Sequence, residues 1–303
     1  MAHCSTALVF STDETFAPLA KGLVLSVTSQ SSGEFDLHMI DIGCSEATRS
    51  WMSEKDVKTT YFDRTQHFPR KPKVKLKAYM DALLCRPFLP DLIPGYDVYL
   101  WCDSDVWIQD ISSLRLYRDT AIDKPDIVPI SPLVDVSYSY FYENMSEFIR
   151  YSEFWYRDAF GPTTASTYAN RAVLSAGLFA MHRSNPTWAA WGAQLDAVYQ
   201  RTFSRHDSLH LSEQVTLNYL LYANRSFCPI EAVHNYNCHI GRAKRRNDGR
   251  VVIDYPPCRM IGVVHLTYSS KMMSRYIDEG LLFDCGRYLE TRELDNLRRL
   301  NHY

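Results

Sequence analysis

Between Thr6 and Asp110 short apolar runs alternate with amphipathic stretches, and this alternation limits the fold more than any other feature of the chain. "TALVF" (residues 6–10) reads as a buried strand, followed by the loop Ser11-Thr12-Asp13. Residues 15–30 carry a helical pattern with Phe16, Leu19, Leu23, Leu25 and Val27 largely on one side. "FDLHMIDIG" (35–43) alternates apolar and polar residues and ends in glycine. Residues 45–55 read as a second helix and "TTYFD" (59–63) as a weaker strand. Leu76, Tyr79, Met80, Leu83 and Leu84 recur at helical spacing, and Pro90 and Pro94 close that segment before "YDVYLWCDSDVWIQD" (96–110). Strand, helix, strand, helix, strand, helix, strand implies an α/β fold whose parallel sheet has helices on both faces. Ligands on such sheets sit at the carboxyl ends of the strands. The loops Thr12-Asp13 and Asp103-Ser104-Asp105 are therefore expected to share one pocket.

After Asp110 the pattern is less regular. Residues 138–160 are dense in aromatics, and "VLSAGLFAMH" (173–182) reads as a strand with Gly177 inside it. Pro186 opens a helix on which Trp188, Trp191, Leu195, Val198 and Tyr199 share a face, with Asn185 as its N-cap. Ser212 caps "SEQVTLNYLLY", "GRAKRRNDGR" (241–250) is a basic loop, and "MIGVVHL" (260–266) is a late strand. A charged helical tail runs over 284–303. No internal repeat or flexible linker interrupts the chain, so one compact unit is expected.

Composition narrows the partners. Lys+Arg is 33 and Asp+Glu is 35, a net charge of -2, far from the basic balance that nucleic-acid binding needs. The start of the chain has no signal-peptide pattern, and no apolar run is long enough to span a membrane. The eight cysteines form no C-x-x-C pair and read as reduced packing residues of a cytoplasmic protein. The sequons at Asn144 and Asn224 then carry no sugar. His206 and His210 stand at i, i+4, but Asp207 follows where a metalloprotease motif needs Glu.

Asp103 and Asp105 raise the question of chemistry. Two like charges this close raise one another's pKa unless a cation lies between them. Residues i and i+2 of an extended segment point the same way, so both carboxylates face one cation. A hard divalent ion takes oxygen ligands and keeps room for substrate phosphates. The alternative is a polar turn whose aspartates cap backbone N–H groups. "HLTYSSK" (265–271) also follows an apolar strand. There His265 completes the coordination and Lys271 neutralises a phosphate as a point charge; the alternative for His265 is a hydrogen-bonded structural residue. The combination D-x-D and H-x5-K suits a diphosphate held on a metal. Imidazole among the ligands favours Mn2+ over Mg2+.

With these residues in place the chain resembles the GT-A fold glycosyltransferases, and most of all glycosyltransferase family 8. The resemblance extends to Lys271 and rests on "VFSTDETF", "YLWCDSDVWI", "LSAGLFAMHR", "SEQVTLNYLL" and "HLTYSSK", in that order. It implies a Rossmann-like GT-A fold with a mixed, mainly parallel sheet and helices on both faces. It implies a hexosyltransferase that takes a nucleotide-sugar, typically a UDP-sugar, as donor and retains the anomeric configuration. Residues 1–110 would form the nucleotide-sugar half, 111–271 the acceptor half of the same domain, and 272–303 a helical tail. Asp103, Asp105 and His265 would bind Mn2+ or Mg2+. Thr12 and Asp13 would border the nucleobase, and Lys77, with Lys75 competing, would approach the donor. Asp103, Ser104 and Asp105 would also contact the donor. Ser175, Ala176 and Gly177 would line its sugar, and Lys271 would hold the diphosphate. Glu213 and Gln214 would be the catalytic pair. Three positions depart from the family pattern: Ser175 stands for Asn, Glu213 for Asp and Tyr268 for Gly.

For a retaining transfer, front-face attack guided by the leaving phosphate is favoured, because the amide of Gln214 is a poor nucleophile. Gln214 would stabilise and Glu213 would orient sugar hydroxyls. The sequence does not name the acceptor, which would be a saccharide, a lipid-linked glycan or a protein. Tyr138, Tyr140 or Tyr142 would form a stacking platform for it, or else pack in the core; the spacing of Trp188 and Trp191 is that of a buried face. The basic loop is a solvated face, or it touches an anionic acceptor or a membrane surface. Two alternatives remain. A sugar-nucleotide nucleotidyltransferase needs a Gly-rich basic loop after the first strand, which "STDETF" lacks. A non-catalytic carbohydrate- or protein-binding module on a transferase scaffold has no need of the intact Asp103, Asp105, His265 and Lys271.

Overall fold

The computed structural model describes residues 4–31, 33–68, 79–138, 145–202, 212–267 and 270–299, with only the backbone described at 145–148, 200–202 and 270–271. The first half runs β1 (Thr6–Thr12), α1 (Ala17–Thr28), β2 (Asp36–Asp41), α2 (Glu46–Ser53), β3 (Lys58–Tyr61), the short helices α3 (Arg64–His67), α4 (Met80–Leu84) and α5 (Leu89–Leu92), and β4 (Val98–Cys102). It continues with β5 (Val106–Ile108), α6 (Ser112–Asp123), β6 (Val128–Pro132), α7 (Met145–Phe160), α8 (Pro162–Tyr168), β7 (Leu174–His182), α9 (Thr187–Thr202) and α10 (Ser212–Asn224). The last part holds β8 (Phe227–Pro229), β9 (Tyr236–Asn237), β10 (Ala243–Arg245), β11 (Val251–Ile253), β12 (Val263–His265), α11 (Ser270–Asp278) and α12 (Thr291–Arg299).

The strands of the main sheet lie in the order β3-β2-β1-β4-β7-β6-β8. β3, β2, β1 and β4 are parallel neighbours, as the alternation predicts. β7 runs antiparallel to both β4 and β6, and β8 is parallel to β6. Each strand residue faces one side in turn, and β4 uses both sides. Val98, Leu100 and Cys102 pack with Leu23 and Val24 of α1 and Leu114 and Tyr117 of α6. Tyr99 and Trp101 pack with Trp188, Trp191 and Leu195 of α9 and Leu217 of α10. Covering both faces is why β4 is apolar throughout, and each such side chain contributes about 1.5–3 kcal/mol of burial.

The helix expected through residues 76–84 is brief where it is described. α4 gives way to a 3-10 turn, Arg86–Phe88, and then to α5. Pro87 and Pro90 each remove an N–H and sit in the first turns of these pieces. The helix after Pro186 agrees with expectation, and Asn185 Oδ1 accepts the backbone N–H of Thr187 at 2.9 Å.

A second sheet, β5-β12-β9, starts with the strand that follows β4. β12 is antiparallel to β5, with His265 opposite Val106, and parallel to β9, with His265 opposite Asn237. This pairing carries the end of β12 to the turn that follows β4. Behind it Trp107, Tyr236, Tyr276 and Leu297 share an apolar cluster that holds α11 and α12.

Three aromatic and basic features resolve here. Trp188 and Trp191 are core residues. Tyr138 is fully buried and its hydroxyl accepts the backbone N–H of Asn237 at 2.8 Å, so it packs rather than offering a platform; Tyr140 and Tyr142 lie outside the described residues, as do His206, His210 and Tyr268. The basic segment 241–250 is not all loop: it holds β10 and the turn of the β10–β11 hairpin. Arg245 lies over the Trp107 ring, 5.7 Å from its centroid, and donates to the carbonyls of Gly280 and Leu282. Lys244 pairs with Asp254 and Arg246 with Asp248. All eight cysteines are free thiols.

Candidate functional site

The site begins where β4 ends. The N–H of Asp103 still joins the sheet, donating to Gly177 O of β7 at 2.8 Å. The turn then closes with Val106 N–H on Asp103 O at 3.1 Å, and Leu266 N–H donates to Asp105 O at 3.0 Å. These backbone bonds place His265 beside both carboxylates. Its Nε2 lies 3.5 Å from Asp105 Oδ1 and 3.9 Å from Asp103 Oδ2. One ligand atom from each of Asp103, Asp105 and His265 falls within 4.8 Å of the others. The expected convergence of residues 103, 105 and 265 is therefore what the fold delivers.

Asp105 and His265 are buried and Asp103 is partly so. Burial pulls the His265 pKa down, but Asp105 and Asp103 outweigh it and the value stands above that of an ordinary histidine. Space for the cluster comes from Gly177. A Cβ there would lie 2.4 Å from His265 Cε1 and 2.8 Å from Asp103 Oδ2. Only glycine lets β7 pass this close.

A residue absent from the sequence reading stands next to the carboxylates. Arg86, in the 3-10 turn after α4, is 4 % exposed. Its Nη2 donates to Asp103 Oδ1 and its Nη1 to Glu213 Oε1. The guanidinium lies over Trp101, 4.9 Å from the ring centroid, and Trp101 Nε1 donates to the same Asp103 oxygen at 2.8 Å. Asp103 Oδ1 is thus held by two donors, while Oδ2 is the oxygen nearer His265. Burial pushes the Glu213 carboxyl above its usual range although Arg86 pulls it down. For Arg86, Asp103 and Glu213 outweigh burial and keep the cation. Two buried polar atoms of this group, Arg86 Nε and Glu213 Oε2, have no hydrogen-bond partner among the described residues.

Glu213 and Gln214 open α10, which lies against β7. Gln214 Oε1 accepts the backbone N–H of Ala176 at 3.0 Å, and one turn later Asn218 bonds both backbone groups of Leu174. Four helical residues rise about as far as two strand residues, so the two amides read alternate positions of β7. Gln214 Nε2 makes no hydrogen bond among the described residues. Trp191 Nε1 donates to Glu213 O at 3.0 Å and fixes the start of the helix. Ser175, beside this row, meets Asn235: Asn235 Nδ2 donates to Ser175 Oγ at 3.3 Å, and Asn235 Oδ1 lies 3.0 Å from His265 Nδ1.

The remaining expected residues divide in two. Thr12 and Asp13 follow β1, and the pairing of Val9 with Trp101 makes their loop and the 103–105 turn leave the same edge of the sheet. There Asp13 Oδ1 accepts Phe16 N–H at 2.9 Å and Thr12 is buried. Ser104 is half-buried in the turn. Lys75 and Lys77 lie outside the described residues, and so does the side chain of Lys271, whose backbone is in the first turn of α11.

Arg86 and Asn235 lacked a pattern that a single sequence displays. Arg86 reads as a solvated cation at a helix end; the one hint is its setting between the apolar Leu83-Leu84-Cys85 and Pro87-Phe88.

No family model and no curated protein matches the chain. Solved structures do. The galactosyltransferase LgtC, in complex with donor and acceptor sugar analogues, superposes with a TM-score of 0.57 at 16% identity, covering 98% of this chain and 97% of that one. An active-site mutant of LgtC, in which glutamate replaces a glutamine, gives 0.56 at 16% identity over 96% of this chain and 94% of that one. The bifunctional glycosyltransferase WbbM in its apo form gives 0.50 at 15% identity over 77% of this chain, which spans only 40% of WbbM. The strand order, the site at the carboxyl edge and the end-to-end overlap with LgtC agree: this chain has the GT-A glycosyltransferase fold.

Proposed function

We propose that the protein is a metal-dependent glycosyltransferase that moves a hexose from a nucleotide-sugar, most simply a UDP-sugar, to an acceptor with retention of configuration. The observation that carries this reading is the convergence of Asp103, Asp105 and His265 within 4.8 Å at the carboxyl edge of the sheet, in space that only Gly177 leaves free. Two carboxylates and an imidazole suit a divalent ion such as Mn2+, or Mg2+. When bound, such an ion acts as a Lewis acid on the diphosphate leaving group.

The chain's own residues have distinct tasks in this reading. Arg86 keeps Asp103 Oδ1 occupied, so that Oδ2 serves the cation. Glu213 Oε2 and Arg86 Nε, buried and without partners among the described residues, hydrogen-bond the hydroxyls of the donor sugar. Gly177 and Ala176 line that sugar, and Lys271, with Lys77, holds the phosphates. Thr12 and Asp13 border the base; residues 1–110 form the nucleotide-sugar half, and 111–271 carry the acceptor site together with most of the sugar and phosphate contacts just named.

The amide of Gln214 bears on the stereochemistry. Its oxygen already accepts the Ala176 N–H, so the group it presents is an N–H donor rather than a nucleophile. This favours acceptor attack on the leaving-group face, with Gln214 stabilising the reacting sugar by hydrogen bonding. LgtC, whose active-site mutant replaces a glutamine, shares this residue type. The first test is donor hydrolysis: nucleotide-sugar with Mn2+ and no acceptor releases the nucleoside diphosphate slowly. A non-catalytic binding module releases none.

A further inference from the structure

The second contact of His265 leads beyond the ligand set. We infer that Asn235 is a positioning residue that selects the metal-binding tautomer of His265, held in turn by Ser175; the inference rests on the metal reading above. An imidazole that binds a metal is neutral and carries one N–H. His265 Nδ1 lies 3.0 Å from Asn235 Oδ1, and an amide oxygen only accepts. The proton therefore sits on Nδ1, and the Nε2 lone pair is left for the space beside Asp103 and Asp105.

At its other end the amide meets the central sheet, where Nδ2 donates to Ser175 Oγ at 3.3 Å. Turned over, it would set an N–H against Nδ1 and move the imidazole proton to Nε2, where it blocks coordination. Asn235 is 1% exposed, which keeps bulk water from replacing either bond. Backbone pairing fixes the spacing. Asn235 stands immediately before β9, His265 of β12 lies opposite Asn237, and Cys238 N–H donates to His265 O at 2.8 Å. Ser175 is two residues from Gly177, on the same side of β7. A line of side chains, Ser175–Asn235–His265, thus couples the central sheet to the cation site. Such outer partners typically govern metal affinity by about 10–100-fold.

The test is Mn2+ binding to the full chain, followed by electron paramagnetic resonance with Mn2+ alone as the probe, beside the urea stability of each metal-free protein. Asn235→Leu keeps the branched outline and removes the acceptor; Mn2+ affinity falls about 10–100-fold. Asn235→Asp keeps an acceptor for Nδ1–H; it binds Mn2+ within about threefold of wild type or tighter, although its buried charge makes it the least stable protein. Ser175→Ala leaves Asn235 in place and weakens binding about 2–10-fold, which decides the matter should the leucine variant not fold. A merely structural Asn235 would reverse the order and make the aspartate variant the weakest binder. The inference is overturned if Asn235→Leu binds like wild type or Asn235→Asp binds as poorly as Asn235→Leu. Wild-type protein that takes up no Mn2+ overturns the metal site as well; loss confined to the variants' predicted order does not arise in that case, so the two failures are distinct.

Discussion

Arg86 and Glu213, 127 residues apart in the chain, form an ion pair with almost no exposed surface. One end lies in the turn between two broken helices, the other in the first turn of α10. Asp103 shares the same guanidinium. The pair therefore ties the carboxylate turn to the helix that carries Gln214.

Breaking this pair leaves a buried charge without compensation. Arg86→Met is expected to lose about 3–5 kcal/mol of stability in urea denaturation, and Arg86→Lys nearly as much, because an ammonium lacks the planar fork that spans two carboxylates. Glu213→Gln keeps an acceptor and costs about 1–3 kcal/mol. An Arg86→Met protein as stable as wild type contradicts the buried arrangement.

Gly177→Ala addresses the space rather than the charge. The added methyl meets His265 and Asp103 and is expected to cost about 1–3 kcal/mol by overpacking. It also abolishes Mn2+ uptake. Retained uptake, measured by titration with Mn2+, would mean that β7 yields and that the glycine is not required.

Front-face attack makes a separate forecast for Gln214. Gln214→Ala lowers turnover about 100-fold or more with little change in KM for the donor, since the lost N–H acts on the reacting sugar. Gln214→Glu, incubated with donor, yields no glycosylated protein by mass spectrometry. A covalent adduct on residue 214 would instead establish a double displacement.

The sheet itself titrates. His38 is buried on β2, 2.9 Å from the Tyr96 hydroxyl, with Lys58 and Asp36 bound to that same hydroxyl. Burial pulls its pKa down to about 4, Lys58 adds to this and Asp36 opposes it. The folded state therefore holds a neutral imidazole that the unfolded chain would protonate near pH 6.5. Its contribution is complete above about pH 6.5 and is lost as pH falls toward about 4. After allowance for screening this amounts to about 1–2 kcal/mol. His38→Gln removes that part of the slope, which urea titrations at pH 7 and pH 4.5 compare directly.

Much of the parallel half of the fold is legible in the sequence, because an apolar strand and an amphipathic helix differ in period. The direction of β7 is not legible. "LSAGLFAMH" is buried on both faces, and such a run looks the same whichever way it lies beside β4. Asp103, Asp105 and His265 could be singled out because each stands at one end of an apolar strand, where a polar residue is conspicuous. Arg86 and Asn235 sit in irregular segments, "CRPF" and "HNYN", where a polar residue is ordinary, and only the tertiary pairing gives them partners. For Tyr138 the second of the two expected roles, core packing, is the one the fold uses. An aromatic cluster suggests a sugar platform, but the ring at 138 fills the core behind β9.

The central claim is that Asp103, Asp105 and His265 hold a divalent cation on which a nucleotide-sugar binds. The most direct measurement is the thermal unfolding of wild-type and Asp105→Asn protein with a panel of nucleotide-sugars, with and without Mn2+. The account predicts that at least one nucleotide-sugar raises the wild-type transition only when Mn2+ is present, by the equivalent of about 2.7 kcal/mol at one hundred times its Kd, and that Asp105→Asn shows no such rise. A shift of equal size without metal or in the variant, or no shift with any nucleotide-sugar, would contradict it.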